Sequence, residues 1–308
     1  MTEAKVRVWK VDREINLRAQ LSVFQRGAGD PTSRWGADGS FTRAAWTPAG
    51  PGTLQVVCRS AGSAVECTAW GAGAEWLLES VPDLLGAADD VSGFNPHHPV
   101  IADAWRRFAH WRVPRSALVM DALAPAVIEQ KVTGQEAFSG YRRLVRRYGH
   151  PAPGPLGDAL CVPPAPADWA RIPSWAWLQA SVDGARSRTL VGAAHVAGRL
   201  EQCVDLPLDR ARSRLRALPG VGVWTAAEVA QRALGDADAV SFGDYHVAKD
   251  VGWALLGRPV DDAGMAELLE PYAGHRYRVQ QLLALAGHRR PRRGPRMAPR
   301  THLPVRAR

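Results

Sequence analysis

Long apolar runs, paired cysteines and a glycine-rich phosphate loop are all missing from this 308-residue sequence. No apolar run reaches the ~18 residues of a transmembrane helix. The cysteines, Cys58, Cys67, Cys161 and Cys203, are scattered and form no Cys-x-x-Cys pair, so zinc and iron–sulfur sites of the common spacing are excluded. Without a phosphate loop, no nucleotide cofactor is expected.

The beginning of the chain also lacks a targeting pattern. Residues Met1 to Lys5 do not show the basic and then apolar order of a signal peptide. We therefore expect a cytoplasmic protein with four reduced cysteines and no membrane partner.

The net charge of +9 belongs to one end of the chain. Residues 289–308 hold eight arginines and no acidic residue, which leaves 31 basic and 30 acidic side chains in residues 1–288. A segment rich in proline and arginine without hydrophobic periodicity is expected to be disordered. Two interpretations of this tail stay open: a solvated end, or a sequence-independent anchor on phosphates.

The first 112 residues have the pattern of a sheet. Short β-rich runs are separated by clusters of Gly, Pro and Asp, and one amphipathic helix follows them. The predicted strands are 15–21, 41–46, 53–58 and 64–70, and the predicted helix is 74–78. This pattern predicts an antiparallel sheet with one or two helices packed on it.

From residue 113 onward the periodicity becomes helical. Apolar residues recur at helical spacing in a series of segments joined by mostly short connections. The predicted helices are 117–130, 135–148, 168–180, 186–202, 209–218, 224–234, 245–256 and 265–286, with a long loop at 151–166. The fold class is therefore α+β: a sheet domain (1–112), an all-α bundle (113–288) and the basic tail (289–308).

One stretch of the bundle carries more specific information, namely the run from Leu218 to Ala226. Gly220 and Gly222 permit a tight turn with exposed backbone N–H groups, and a helix begins directly after them. The free N–H groups and the helix dipole then point the same way, which suits a backbone phosphate. A plain corner between two helices is the alternative.

This run resembles the helix-hairpin-helix of the DNA glycosylase superfamily. Residues 242–246, Phe-Gly-Asp-Tyr-His, resemble the segment that holds that superfamily's catalytic aspartate, and residues 128–133 resemble the helix end near its DNA wedge. The resemblance points to the 3-methyladenine-DNA glycosylase II family and extends over most of the chain. Its landmarks in the N-terminal part are residues 30–32, 69–71 and 85–90.

The resemblance assigns the catalytic role to Asp244. A carboxylate there would stabilise an oxocarbenium-like transition state and orient the attacking water. A second interpretation is that Asp244 caps the helix that follows, and both roles are compatible. Asp236, Asp238 and Asp250 are the competing acids.

The resemblance also assigns a role to Trp224. Glycosylases that cut the strand carry a lysine at this position, and an indole cannot form a Schiff base. The implied reaction is hydrolysis that leaves an abasic site, with Trp224 stacking on the base in its pocket. The alkylation branch often has a second aromatic residue one turn later, where this chain has Glu228, so the range of lesions stays open.

Contacts to DNA follow from the same resemblance. Lys131 occupies the wedge position, with a solvated helix-end charge as the alternative. The hairpin residues assigned to the DNA backbone are Pro219, Gly220, Val221, Gly222, Val223 and Thr225.

The function expected from the sequence is a monofunctional DNA glycosylase that removes alkylated purines during base excision repair. We expect a monomer, associated with the nucleoid, whose partner is damaged double-stranded DNA. No metal or cofactor is expected, with a monovalent cation at the hairpin backbone as the one alternative. Two other functions stay open: a glycosylase for deaminated or exocyclic-adduct bases, and a non-catalytic helix-hairpin-helix DNA-binding protein.

Overall fold

The computed structural model of the chain describes residues 3–59, 64–157 and 159–291. The predicted tail, 289–308, therefore lies almost entirely outside the described residues. Within the described ranges, no helix is long and apolar enough to cross a membrane.

The N-terminal part is built on a five-stranded antiparallel sheet. The strands are β1 (Lys5–Lys10), β2 (Ser33–Trp35), β3 (Phe41–Thr47), β4 (Gly50–Arg59) and β5 (Ala64–Gly71). They lie in the order β1-β5-β4-β3-β2. Strand β5 buries every second residue, as expected for a sheet with one face on a core.

Three of the four predicted strands are present, and the fourth prediction is wrong. Residues 15–21 were expected to form a strand, but the structure has helix α1 (Leu17–Leu21) there. The Asn16 side chain accepts a hydrogen bond from the Ala19 N–H at 3.0 Å and so caps the helix. Leu17 and Leu21 are buried on one face, a spacing that fits a helix as well as a strand.

Four helices accompany the sheet or follow it directly. Helix α2 (Ala74–Glu79) covers one face of the sheet with Ala74, Leu77 and Leu78 buried. The last of the four packs against the C-terminal helices rather than on the sheet, with Ile101 fully buried among them. The four are α1 (Leu17–Leu21), α2 (Ala74–Glu79), α3 (Val81–Leu84) and α4 (Pro99–Arg107). The domain boundary at residue 112 stays a prediction.

The regular elements in the rest of the described chain are helices apart from one short β-ribbon, β6 (His150–Pro151) and β7 (Cys161–Val162). A π-helical turn, Ala230–Leu234, continues helix α12 (Val223–Val229). The helices are α5 (Val119–Ile128), α6 (Gly134–Tyr148), α7 (Pro166–Arg171), α8 (Ser174–Gln179), α9 (Gly184–His195), α10 (Ala197–Glu201), α11 (Leu208–Arg216), α12 (Val223–Val229), α13 (Val247–Leu256), α14 (Asp262–Leu269) and α15 (Arg276–Leu285).

Three of the predicted long helices are divided in the structure. The predicted helix 168–180 is α7 and α8, because Pro173 interrupts the hydrogen-bond ladder between them. The predicted helix 186–202 is α9 and α10, and 265–286 covers parts of α14 and α15. On α8, Trp175 is 47% exposed beneath the Arg147 guanidinium, whereas Trp177 is buried against Trp169.

The helices form two apolar clusters. The larger cluster, here called the bundle core, draws on α5, α6, α9 and α12 among others. The smaller cluster, here called the C-terminal core, contains α4 and α13–α15 together with Val240. The chain passes from one cluster to the other through residues 235–246, the stretch that carries Asp244.

Buried ion pairs join the sheet layer to the helices. Arg43 of β3 contacts Asp121 of α5, with both side chains mostly buried. Asp89, which follows α3, accepts two hydrogen bonds from Arg278 of α15 at 2.7 and 2.9 Å. Arg278 is fully buried and Asp89 is 3% exposed, so this pair is shielded from solvent.

Candidate functional site

The hairpin between α11 and α12 presents its backbone to solvent. Pro219, Gly220, Gly222 and Val223 are exposed, while Val221 anchors the turn in the bundle core. The Gly222 side that would carry a Cβ faces open space. The backbone of the turn is therefore accessible to a ligand.

Gly220 and Gly222 have different reasons to be glycine. Gly220 has a φ of +86°, and a Cβ there would lie 1.9 Å from the Thr189 hydroxyl oxygen. Any side chain at Gly220 would be both strained and obstructed. Gly222 has ordinary extended backbone and nothing within 4 Å of its missing Cβ. A side chain at Gly222 would fit the free protein and would obstruct only a ligand that approaches the hairpin backbone.

Gln130 fastens this hairpin to the end of α5. Its Nε2 donates to the Gly220 carbonyl at 2.9 Å and to the Thr225 hydroxyl at 2.8 Å. Thr225 is buried, so the second bond reaches under the hairpin. Gln130 lies inside the 128–133 run, but the sequence interpretation gave it no role.

Lys131, the predicted wedge residue, follows Gln130 directly. It is exposed, and its φ of +56° places a non-glycine residue in the left-handed region. Its ammonium group makes no hydrogen bond or ion pair with the described residues. The structure therefore holds Lys131 at the tip of a tight turn beside the hairpin, and its wedge role stays a prediction.

Asp244 lies in the turn before α13. Its Oδ1 accepts hydrogen bonds from the His246 N–H at 2.7 Å and the Val247 N–H at 3.0 Å. Oδ2 accepts none from the described part of the chain. The carboxylate therefore caps the helix with one oxygen, which fixes its orientation, and keeps the other oxygen available.

The competing acids are engaged elsewhere. Asp236 is buried and pairs with Arg212, and burial raises the pKa of its carboxyl. Asp238 accepts hydrogen bonds from the Gly274 and Arg276 N–H groups and pairs with the Arg276 guanidinium. Asp250 accepts from the Arg290 N–H at 3.0 Å. All three carboxylates are thus held by hydrogen bonds or ion pairs with other parts of the protein.

Trp224 lies against the turn that carries Asp244. The missing Cβ of Gly243 would be 3.9 Å from the Trp224 Cβ. The indole is half-buried, and its Nε1 is buried without a hydrogen-bond partner among the described residues. The structure thus brings Trp224 and Asp244 together, which the sequence alone places 20 residues apart.

Exposed side chains continue from Asp244 along α13. Tyr245 is 71% exposed, and the Lys249 ammonium lies 3.5 Å from the centre of its ring. His246 packs edge-on against the same ring. Lys249 therefore lies close to the turn of Asp244. Lys131 lies near the hairpin instead, because the preceding residue, Gln130, is hydrogen-bonded to it.

The fold is shared with solved structures of one class of protein. The chain has the fold of the helix-hairpin-helix DNA glycosylases: it superposes on the 3-methyladenine DNA glycosylase from Archaeoglobus fulgidus with a TM-score of 0.74, over 91% of this chain and 98% of that one, at 14% identity. The 8-oxoguanine glycosylase/lyase of Clostridium acetobutylicum gives a TM-score of 0.69 over 92% and 98%, also at 14% identity.

The sequence is also similar to a curated protein. The chain is 34% identical over 168 residues to the probable bifunctional transcriptional activator/DNA repair enzyme AlkA of Mycobacterium tuberculosis (strain H37Rv). The match covers 54% of this chain and 31% of that relative, so the chain spans about a third of the curated protein that it matches. No family model matches the chain. The resemblance to the 3-methyladenine-DNA glycosylases and the α+β fold class are confirmed.

Proposed function

We propose that this protein is a DNA glycosylase that hydrolyses the N-glycosidic bond of alkylated purines in double-stranded DNA. The observation that carries the proposal is the arrangement at residues 243–244. A carboxylate with one fixed and one available oxygen lies in a turn packed on a half-buried indole, beside a hairpin with exposed backbone. The similarity to a DNA repair enzyme, together with the fold shared with a 3-methyladenine DNA glycosylase, supports alkylated bases as the substrate class.

The proposed reaction assigns a step to each group. The hairpin holds a backbone phosphate by its N–H groups, and Lys131 fills the gap left by the flipped nucleotide. Trp224 stacks on the base, whose positive charge after alkylation favours an electron-rich ring. As the glycosidic bond breaks, its electrons leave with the base, and Asp244 stabilises the positive charge on the sugar.

Water completes the reaction. The oxygen of a water molecule oriented by Asp244 bonds to the sugar carbon, and one of its protons is released through the carboxylate to solvent. The products are the free base and an abasic site in an uncut strand. The residues named need no cofactor for these steps. The absence of a cofactor, the monomeric state and the nucleoid location stay predictions.

Duplexes that each carry one defined lesion test the proposal. After incubation, alkali cleaves the strand wherever a base has been released. We expect release of 3-methyladenine or 7-methylguanine, with the Asp244→Asn variant as the matched negative control. Release of deaminated or exocyclic-adduct bases alone would change the proposed substrate class. The buried Glu228, which stands where a second aromatic residue is often found, would then be relevant to that choice of substrate. Release of no base by a folded protein that binds duplex would support the non-catalytic function.

The end point of the reaction gives a separate prediction. Because Trp224 occupies the position of the lyase lysine, no covalent enzyme–DNA species should accumulate when borohydride is added during turnover. The product strand should stay intact until alkali is added. Gel analysis with and without borohydride checks both statements. A trapped complex in amounts that match base release would contradict the monofunctional reaction, and the Lys131→Ala and Lys249→Ala variants would then identify the nucleophile.

The accessible side of Gly222 gives a prediction for binding. Gly222→Leu should weaken the affinity for abasic duplex by about tenfold or more, because the side chain obstructs the hydrogen bonds from backbone N–H groups to a phosphate. Folding should be unaffected, since nothing lies within 4 Å of the missing Cβ. Fluorescence anisotropy at one fixed salt concentration measures the effect.

Gly198→Leu is the matched control, because Gly198 is also exposed with open space around its missing Cβ but lies on α10, outside the hairpin. Equal affinities of the two variants for abasic duplex would remove the hairpin from the binding surface.

A further inference from the structure

Glu228 departs from the pattern of the family, and the structure shows what surrounds it. It lies on α12, one turn after Trp224, and is 8% exposed. Its Oε2 accepts a hydrogen bond from Arg232 at 2.7 Å, and its Oε1 accepts one from the Ser241 hydroxyl at 2.7 Å. The side chain is therefore directed away from solvent and toward the stretch that precedes Asp244.

Ser241 is a buried hydrogen-bonding centre. Its hydroxyl oxygen accepts from the Gln231 amide at 2.9 Å and from the Gln280 amide at 3.0 Å. Its N–H donates to the Gln280 Oε1 at 3.2 Å, and its carbonyl accepts from the Asp244 N–H at 3.1 Å. Ser241 is 1% exposed, and these protein hydrogen bonds satisfy its buried polar atoms.

The direction of the Ser241 proton follows from this arrangement. Both lone pairs of the hydroxyl are occupied by amide donors, so its single proton is directed to Glu228. The two amides are themselves oriented, because Gln231 Nε2 also donates to the Ala239 carbonyl at 2.6 Å and Gln280 accepts from the Ser241 N–H. Glu228 must then be the acceptor of this hydrogen bond, and its pairing with Arg232 keeps its carboxylate in that role.

The partners of Ser241 come from both sides of the site. Glu228 and Gln231 belong to α12 and the π-helical turn Ala230–Leu234, whereas Gln280 belongs to α15 of the C-terminal core. Interruptions of this π-helical kind are found frequently at functional sites. Ser241 thus fixes the beginning of the Asp244 turn between the two helical clusters, and the caps on His246 and Val247 fix its end.

We propose that Glu228 is a positioning residue that acts through the Ser241 hydroxyl on the turn of Asp244, and so sets the rate of base release rather than the affinity for DNA. The role in rate rests on the proposed glycosylase function. A second aromatic residue at this helical position would hold the base by stacking. Here Glu228 occupies the position and instead fixes the turn of Asp244, whose carboxylate is proposed to do the chemistry. Removing either partner should let Asp244 move relative to Trp224.

Single-turnover base release by full-length variants tests this role. Ser241→Ala and Glu228→Ala should each lower the rate by about 100-fold, the order of loss expected from a misplacement of ~1 Å. Affinity for abasic duplex should stay within about twofold. Glu228→Gln should lose only a few-fold, because an amide oxygen can still accept from Ser241. The Ser241→Ala/Glu228→Ala double variant should be no slower than the slower single variant, since both remove the same bond.

A matched control separates positioning from general stability. Asp121→Asn removes a similarly buried carboxylate that pairs with Arg43 and has no hydrogen-bond path to Asp244. It should lower the melting temperature as much as Glu228→Ala does and leave the rate per folded molecule unchanged. An equal loss of rate in Asp121→Asn, or additive losses in the double variant, would overturn the proposal.

Amide hydrogen exchange gives a readout that needs no activity. In Ser241→Ala and Glu228→Ala, the His246 and Val247 amides should exchange about tenfold faster than in the unaltered protein, and in Asp121→Asn they should not change. Unchanged exchange at these amides would overturn the positioning role even if the protein is an active glycosylase. Faster exchange in a protein that releases no base from any duplex would contradict the proposed function and leave the structural link from Glu228 to Asp244 supported.

Discussion

Asp244→Asn should lower base release by about 10³-fold and leave the affinity for duplex nearly unchanged. An asparagine can still accept the hydrogen bonds from the His246 and Val247 N–H groups through its amide oxygen, so the start of α13 should persist. What the variant loses is the negative charge that we propose stabilises the sugar in the transition state. Single-turnover kinetics on the best lesion and anisotropy on abasic duplex measure the two quantities separately.

Asp250→Asn is the matched control for this prediction. Asp250 is an acid on α13 itself, and its carboxylate accepts from the Arg290 N–H rather than from the turn of the site. Its rate should stay within a few-fold of the unaltered protein. Near-normal turnover by Asp244→Asn, or an equal loss in Asp250→Asn, would remove Asp244 from the chemistry.

Asp89→Ala should destabilise the fold by about 3–5 kcal/mol, the cost of leaving a buried charge without its partner. Arg278 is fully buried and would lose both of its hydrogen bonds to the carboxylate, and the Val113 N–H would lose its acceptor as well. Denaturant titration gives the change in the free energy of unfolding. The lost stability should come mostly from the contact between the segment after α3 and helix α15.

Two comparisons keep this prediction specific. Glu75→Ala breaks an exposed cluster with Lys5 and Arg7 and should change stability little. The Asp89→Leu/Arg278→Met variant removes both charges and should recover much of the loss, because apolar replacement of a whole buried pair is often tolerated. A cost for Asp89→Ala no larger than that for Glu75→Ala would show that the buried pair does not hold these segments together.

Local signals made much of the site predictable. The two glycines and the helix start after them define the hairpin within nine residues, and the resemblance places Asp244 at a set distance beyond it. The strands 41–46, 53–58 and 64–70 followed from β-rich composition between turn clusters, and 64–70 also from alternation. The error at 15–21 arose because Leu17 and Leu21 satisfy both periodicities, and only the capping contact of Asn16 decides between them.

The rest of the site depends on contacts between distant parts of the chain. Gln280 lies 39 residues after Ser241, and nothing in its surroundings distinguishes it from the next residue, Gln281. Glu228 was visible as a departure from the family pattern, but its partners exist only once α12 and α15 meet. Gln130 belongs to the 128–133 run, yet its two bonds to the hairpin require the end of α5 to lie beside Gly220.

The bond from Gln130 to the hairpin has a mechanical consequence. One amide nitrogen ties the turn of Lys131 to Gly220 and Thr225, so the two surfaces proposed to meet DNA cannot change their separation independently. If both surfaces bind DNA as proposed, straight and sharply bent duplexes meet the same fixed spacing. We then expect the duplex rather than the protein to deform at each lesion, so that the stiffness of the DNA around a damaged base contributes to which lesions are selected.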